Sequence, residues 1–215
     1  LYYHGTGYEE DAQIGLSFFR KAADFSHQDA RFYLAYSLLA GKGTERNEEQ
    51  GRSALSALAA DGHVEAMMHL ANHYRETGYD QGWEVFDRIK ELYERALKAG
   101  LPEAALSLGV LYKEGKLVAE DLSLAFQYFT LASKMGSLQA DIHLAHSLAA
   151  GLGIKRDYVA ARRHYLEAAD NDLVGGFLGL GYLYEFGLGV QIDLVKARAF
   201  YELGTRASNS ALNEN

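Results

Sequence analysis

Cysteine is absent from these 215 residues, which removes disulfide frameworks, thiolate metal sites and cysteine nucleophiles together. Basic residues are in deficit: 21 Lys and Arg stand against 29 Asp and Glu, for a formal net charge of −8 and a pI near 5.5. A surface that binds nucleic-acid phosphates shows the opposite balance, so nucleic acid is not an expected partner. No run approaches the ~18 uninterrupted apolar residues of a membrane span. Proline occurs once beside 22 glycines, so helix ends made by glycine are expected in place of loops stiffened by proline. What is present is a 48% hydrophobic, 23% charged chain with 15 tyrosines, the balance of a folded globular protein.

A phrase recurs along the chain: a small residue, a Leu four later, a small residue next, then an aromatic or Leu. It reads Ala30-Leu34-Ala35-Leu38, Ala66-Leu70-Ala71-Tyr74, Ala104-Leu108-Gly109-Tyr112, Ala140-Leu144-Ala145-Leu148 and Gly176-Leu180-Gly181-Tyr184. First members are 36, 38, 36 and 36 residues apart, a period that belongs to stacked repeats. A glycine turn accompanies the phrase at Gly5-Thr6-Gly7, Gly41-Lys42-Gly43, Gly151-Leu152-Gly153 and Gly187-Leu188-Gly189, with Gly115 keeping only the first glycine. Asp11, Asn47, Asp121, Asp157 and Asp193 stand where a following helix needs its N-cap. Pairs at Phe18-Phe19, Leu92-Tyr93, Tyr128-Phe129, His164-Tyr165 and Phe200-Tyr201 come next, and Gly62, Gly100 or Gly136 supplies the stop.

Each repeat therefore reads as helix A, a glycine turn, helix B and a cap. Apolar residues recur at three and four, never at two, so the elements are helices. Small residues at Ala35, Gly109 and Gly181 let one helix approach its neighbour, and Gly181 is expected to set the spacing of the last two repeats. One helix pair cannot cover its own apolar face, so the pairs must stack. The predicted fold is all-α, an α-solenoid (superhelix) of stacked antiparallel helix pairs with about 36 residues per repeat. A single solenoid domain over 1–215 is expected, with repeats at about 1–25 (partial), 26–61, 62–99, 100–135, 136–171 and 172–207, and the start of a further repeat at 208–215.

The run Leu180-Gly181-Tyr182-Leu183-Tyr184-Glu185-Phe186-Gly187-Leu188-Gly189-Val190, continued by Asp193-Leu194-Val195-Lys196-Ala197-Arg198-Ala199-Phe200-Tyr201, resembles the signature of the Sel-one-like repeat (SLR) family, relatives of the tetratricopeptide repeat. The resemblance covers essentially the whole chain. It implies a helical scaffold acting as adaptor or regulator in envelope assembly, signalling or protein quality control. The third repeat departs from it, with two extra residues and Glu76-Thr77-Gly78-Tyr79-Asp80-Gln81-Gly82-Trp83 in place of the glycine turn, where a bulge is expected. Both ends align with incomplete repeats, and their uncovered apolar faces are expected to give weak self-association.

His69 and His73 sit four apart and His143 and His146 three apart, spacings that can share a metal. Further ligands are wanting, so no metal and no cofactor is expected. The glycine turns follow helices, whereas a dinucleotide-binding loop follows a strand. Paired carboxylates such as Glu48-Glu49 fall at helix starts, where they favour the helix dipole. No catalytic constellation emerges, and the protein is not expected to be an enzyme.

Three positions of helix A remain, counted from the first small residue. The third reads Tyr33, His69, Ser107, His143 and Gly179; the sixth Tyr36, Asn72, Val110, His146 and Tyr182; the seventh Ser37, His73, Leu111, Ser147 and Leu183. None of the fifteen is charged, and Tyr enrichment with charge depletion is the composition of an interface centre. The expected partner-binding residues are Tyr33, Tyr36, His69, Asn72, His73, His143, His146 and Tyr182, lining a concave groove for a protein or peptide. The competing reading is burial between adjacent A helices, with the sixth position the most open. Four histidines in this stripe would make the groove titrate near pH 6–7. Arg162 and Arg163 on helix B read as an ordinary solvated face. The functional expectation is a non-catalytic interaction scaffold. Its rival is an accessory or regulatory domain of a larger protein whose enzymatic or polysaccharide-related part lies elsewhere.

Overall fold

The computed structural model describes residues 12–24, 27–78 and 83–213. Among them are eleven helices and no strand: α1 (Ala12–Asp24), α2 (Gln28–Ala40), α3 (Glu48–Ala60), α4 (Val64–Thr77), α5 (Trp83–Lys98), α6 (Pro102–Glu114), α7 (Leu122–Lys134), α8 (Leu138–Ala150), α9 (Tyr158–Asp170), α10 (Val174–Phe186) and α11 (Leu194–Asn213). The even-numbered helices carry the helix-A phrase and the odd-numbered ones are the B helices. The helix pairs are those of an α-solenoid. The expected first turn at Gly5–Gly7, the cap Asp11 and the bulge at 79–82 lie outside the described residues.

The chain divides into two compact units, residues 1–101 and 102–215. Within 12–98 each helix packs on the next from α1 to α5, and α2 also touches α4; within 102–213 the same succession runs from α6 to α11, and α8 touches α10. The second member of the helix-B pair fills the interior in three repeats, where Tyr93, Phe129 and Tyr165 are buried, while Phe19 and Tyr201 are half-buried. Burying a side chain of that size stabilises by about 2–3 kcal/mol.

The caps follow the sequence register. The side chains of Asn47, Asp121, Asp157 and Asp193 accept from the backbone N–H groups of Gln50, Leu124, Ala160 and Lys196. The backbone N–H of each of these residues also donates to helix A, on Leu38, Tyr112, Leu148 and Tyr184 respectively. One residue thus ties off a turn at both ends. Helix B stops at Gly62, Gly100 and Gly136 with φ of 96°, 94° and 96°, a backbone region that costs an L-residue energy. The next stop is Asp172, a non-glycine at φ 57°. At 208 the register arrives at Ser208, and α11 continues unbroken to Asn213.

The turn glycines join one repeat to the next. A Cβ on Gly43 would lie 2.7 Å from the backbone of Ala12, one on Gly189 2.6 Å from Tyr158 Cβ, and one on Gly153 would overlap the Leu122 carbonyl. Each second glycine therefore abuts the start of the preceding B helix. Gly181 corrects the sequence reading. Its Cβ would lie 2.5 Å from Tyr201 Cε1, so it serves close approach inside the last helix pair, between α10 and α11. The approach of the last two repeats falls to Gly176, where a Cβ would meet the backbone of Ala169. Five residues separate the two positions on α10, which turns them to opposite flanks of the helix.

Candidate functional site

The three stripe positions do not share one environment. The seventh faces the interior: Ser37, His73, Leu111, Ser147 and Leu183 are all buried. His73 is therefore buried, as the competing reading of the stripe has it. Its ring lies under α3, with Nε2 3.4 Å from Glu48 Oε1 and no hydrogen-bond partner of ordinary geometry among the described residues. The third and sixth positions are half-buried or open, and His69, His146 and Tyr182 are exposed.

In the unit 1–101 the stripe builds an aromatic cluster. Phe32 lies 5.2 Å from both His63 and His69, ring centre to ring centre. Tyr36 meets His69 edge-on at 5.0 Å, so α2 and α4 present a joint surface. Tyr33 stacks on Phe19 of α1 at 4.6 Å. Asn72 is half-buried, and its Oδ1 accepts from the Tyr93 hydroxyl at 2.6 Å, which ties it to α5.

In the unit 102–215 the arrangement is more concave. His146, Tyr182, Tyr158, Tyr165, Phe186 and Arg156 line a cleft of about 730 Å³ between α8, α9 and α10. Tyr182 and Phe186 are 51% and 53% exposed, and their rings sit 4.8 Å apart. Tyr165 forms the floor. Arg156 lies at the rim, its guanidinium 5.8 Å from the centre of the Tyr158 ring. His143 is not a free wall of this cleft: it stacks on Phe129 at 4.7 Å. The sequence reading supplied only His146 and Tyr182. Phe186 was legible, being one helical turn beyond Tyr182 on the same face. Arg156 was not, because its position depends on how the turn after Gly153 folds back.

Desolvation by the surrounding side chains lowers all four stripe histidines, the partly exposed His69 and His146 included. Desolvation, followed by the charge of Lys113 and then His146, brings His143 down to about 4. Desolvation and Lys113 lower His146. Desolvation also lowers His69 and His73, against the opposing pull of Glu65 and Glu48 respectively. The stripe rings therefore protonate below the ordinary histidine value, His143 at about 4. Among the described residues, no group of three or more His, Asp or Glu is placed to hold a metal ion. A polar knot absent from the sequence reading lies nearby. Buried Asp141 accepts from Ser133 at 2.9 Å and lies 2.7 Å from His164 Nδ1, linking α7, α8 and α9.

Sel1 repeat models match residues 1–24, 28–53, 102–137, 139–173 and 178–209. The chain belongs to the Sel1 repeat family. The unmatched stretch 54–101 holds the whole of the divergent third repeat, 62–99. A crystal structure of a Sel1 repeat protein from Oxalobacter formigenes superposes with a TM-score of 0.83 at 26% identity, covering 96% of this chain and 84% of that one. Chitin synthase regulator SKT5 of Saccharomyces cerevisiae is 29% identical over 92% of this chain and 30% of its own length. The DAP3-binding cell death enhancer 1 of Rattus norvegicus is 31% identical over 74% of this chain and 31% of its own. This chain thus spans about a third of the length of each of these two curated relatives. No described helix is long and apolar enough to cross a membrane.

Proposed function

We propose that this Sel1 repeat domain is a non-catalytic interaction scaffold that holds a protein or peptide partner on the exposed helix-A positions. The observation that carries the reading is the α8–α10 cleft, where Tyr182 and Phe186 leave large ring areas open to solvent. Exposed, rigid rings in a concave setting are the usual anchors of recognition, since they bring contact area at small entropic cost. Tyr33, Tyr36, His69 and Asn72 make up the corresponding surface in the unit 1–101, and His143 supports the α8 side of the cleft. The remaining polar groups favour this reading over catalysis. Asp141, Ser133 and His164 satisfy one another away from the cleft, with the serine on the carboxylate and not on the imidazole, so they lack the order of a nucleophilic relay.

The test is peptide selection on immobilised protein. Wild type is expected to enrich a peptide set that Tyr182→Ala/His146→Ala loses, while Arg162→Ala/Arg163→Ala on helix B retains it. Enrichment that is indifferent to the first pair and lost with the second would move the binding surface to the B helices.

A second reading, a regulatory module of a larger protein with an enzymatic or polysaccharide-related part, draws on the likeness to the chitin synthase regulator, of which this chain matches 30%. Both readings use the same cleft and differ in what the rest of the polypeptide does.

A further inference from the structure

The α8–α10 cleft combines two chemistries. Its walls are aromatic, with Tyr165 buried at the floor and Tyr182 and Phe186 open. Its charge is positive, in a chain whose net charge is −8. Arg156 stands exposed at the rim, and its hydrogen bond to the Ala150 carbonyl is long at 3.4 Å, a contact that a better acceptor would displace.

Among the described residues, no Asp or Glu lines the cleft. The nearby carboxylates are engaged elsewhere: Asp141 with Ser133 and His164, Asp157 in capping α9, and Glu185 in accepting from the Tyr201 hydroxyl at 2.6 Å. An incoming carboxylate would meet the bidentate donor of Arg156, with no acid among the described lining residues to repel it. A large apolar side chain beside it would cover the Tyr182–Phe186 pair. The volume, about 730 Å³, suits a few residues of peptide and lies within the usual range of ligand sites.

We propose that the α8–α10 cleft binds a short peptide segment in which Asp or Glu adjoins a large apolar residue, with the carboxylate on Arg156 and the apolar side chain against Tyr182 and Phe186. This rests on the scaffold reading and gives it a ligand chemistry. Arg156 then sets specificity, and the ring pair supplies most of the contact area.

The experiment pans a phage-displayed random dodecapeptide library on the full chain and on Tyr182→Ala. The strongest peptide dependent on Tyr182 is then titrated as a fluorescein conjugate by polarisation. Enriched peptides are expected to pair an acid with Leu, Ile or Phe. Arg156→Gln should weaken the conjugate by about 10-fold and flatten its salt dependence. Replacing the peptide acid by its amide should cost wild type about the same factor and cost Arg156→Gln little, since each change removes the same contact. Arg156 is exposed, so its variant should keep the wild-type circular dichroism spectrum. Tyr182-dependent peptides without acidic bias, or an acidic peptide indifferent to Arg156→Gln, overturn this inference and leave the scaffold reading standing. Absence of any Tyr182-dependent peptide overturns both.

Discussion

Asp172 holds a left-handed backbone at the position where Gly62, Gly100 and Gly136 end the preceding B helices. An L-residue pays for that conformation, and a carboxylate at a helix C-terminus also opposes the dipole. Asp172→Gly should therefore stabilise the protein by about 0.5–1 kcal/mol, read as a raised urea midpoint. The converse, Gly136→Ala, should cost about 1 kcal/mol even though its Cβ would meet nothing within 4 Å, since backbone conformation alone is at issue. His143 makes the other residue-scale case. Its folded value, about 4, lies below the ordinary 6.5, so between those limits the unfolded chain binds the extra proton. Stability should fall as pH drops from about 6.5 to about 4, with no further loss from this group below that. His143→Phe keeps a ring against Phe129 and should flatten that part of the profile in denaturation measured at several pH values. An unchanged slope would remove His143 as its source.

At the scale of the element, the second turn glycine carries the contact between repeats. A methyl group on Gly153 would overlap the Leu122 carbonyl, and φ there is 71°. Both the backbone and its neighbour would have to move, so Gly153→Ala should cost about 2–4 kcal/mol. Gly181→Ala meets the Tyr201 ring instead, which can tilt, and should cost about 1–2 kcal/mol. Denaturant midpoints that ranked the two variants in the opposite order would contradict this assignment of contacts. The repeat period, the helix-A phrase and the cap residues were legible in the sequence because each depends on neighbours within a few residues. The direction of the Gly181 contact was not, since it depends on which flank of α10 faces α11. The unbroken run of α11 past Ser208 escaped for a related reason: register marks where a stop belongs, and only a residue able to take positive φ makes one.

For the whole molecule, the stripe shows how far a one-dimensional pattern reaches. Counting along helix A found the uncharged positions, and the sixth did prove more open than the seventh. Counting could not show that His73 tucks beneath α3, nor that Arg156 and Phe186 join His146 and Tyr182 around a single cleft. Those facts come from packing between repeats that are 36 residues apart in register. The structure also locates the cleft wholly within residues 102–215, which form one of the two compact units. Repeat stability is a sum of helix pairs and nearest-neighbour contacts, and α6 to α11 supply each other with both. The segment 102–215 produced alone should therefore be helical and unfold cooperatively. It should also bind the peptide selected on the full chain within about 3-fold. Tyr182→Ala/His146→Ala in this segment should weaken that peptide by about 2–4 kcal/mol while shifting the urea midpoint little, because both side chains are exposed. Full-strength binding by the full chain, combined with none by a folded 102–215, would mean that the partner also requires residues of the unit 1–101, with Tyr36 and His69 the first to substitute.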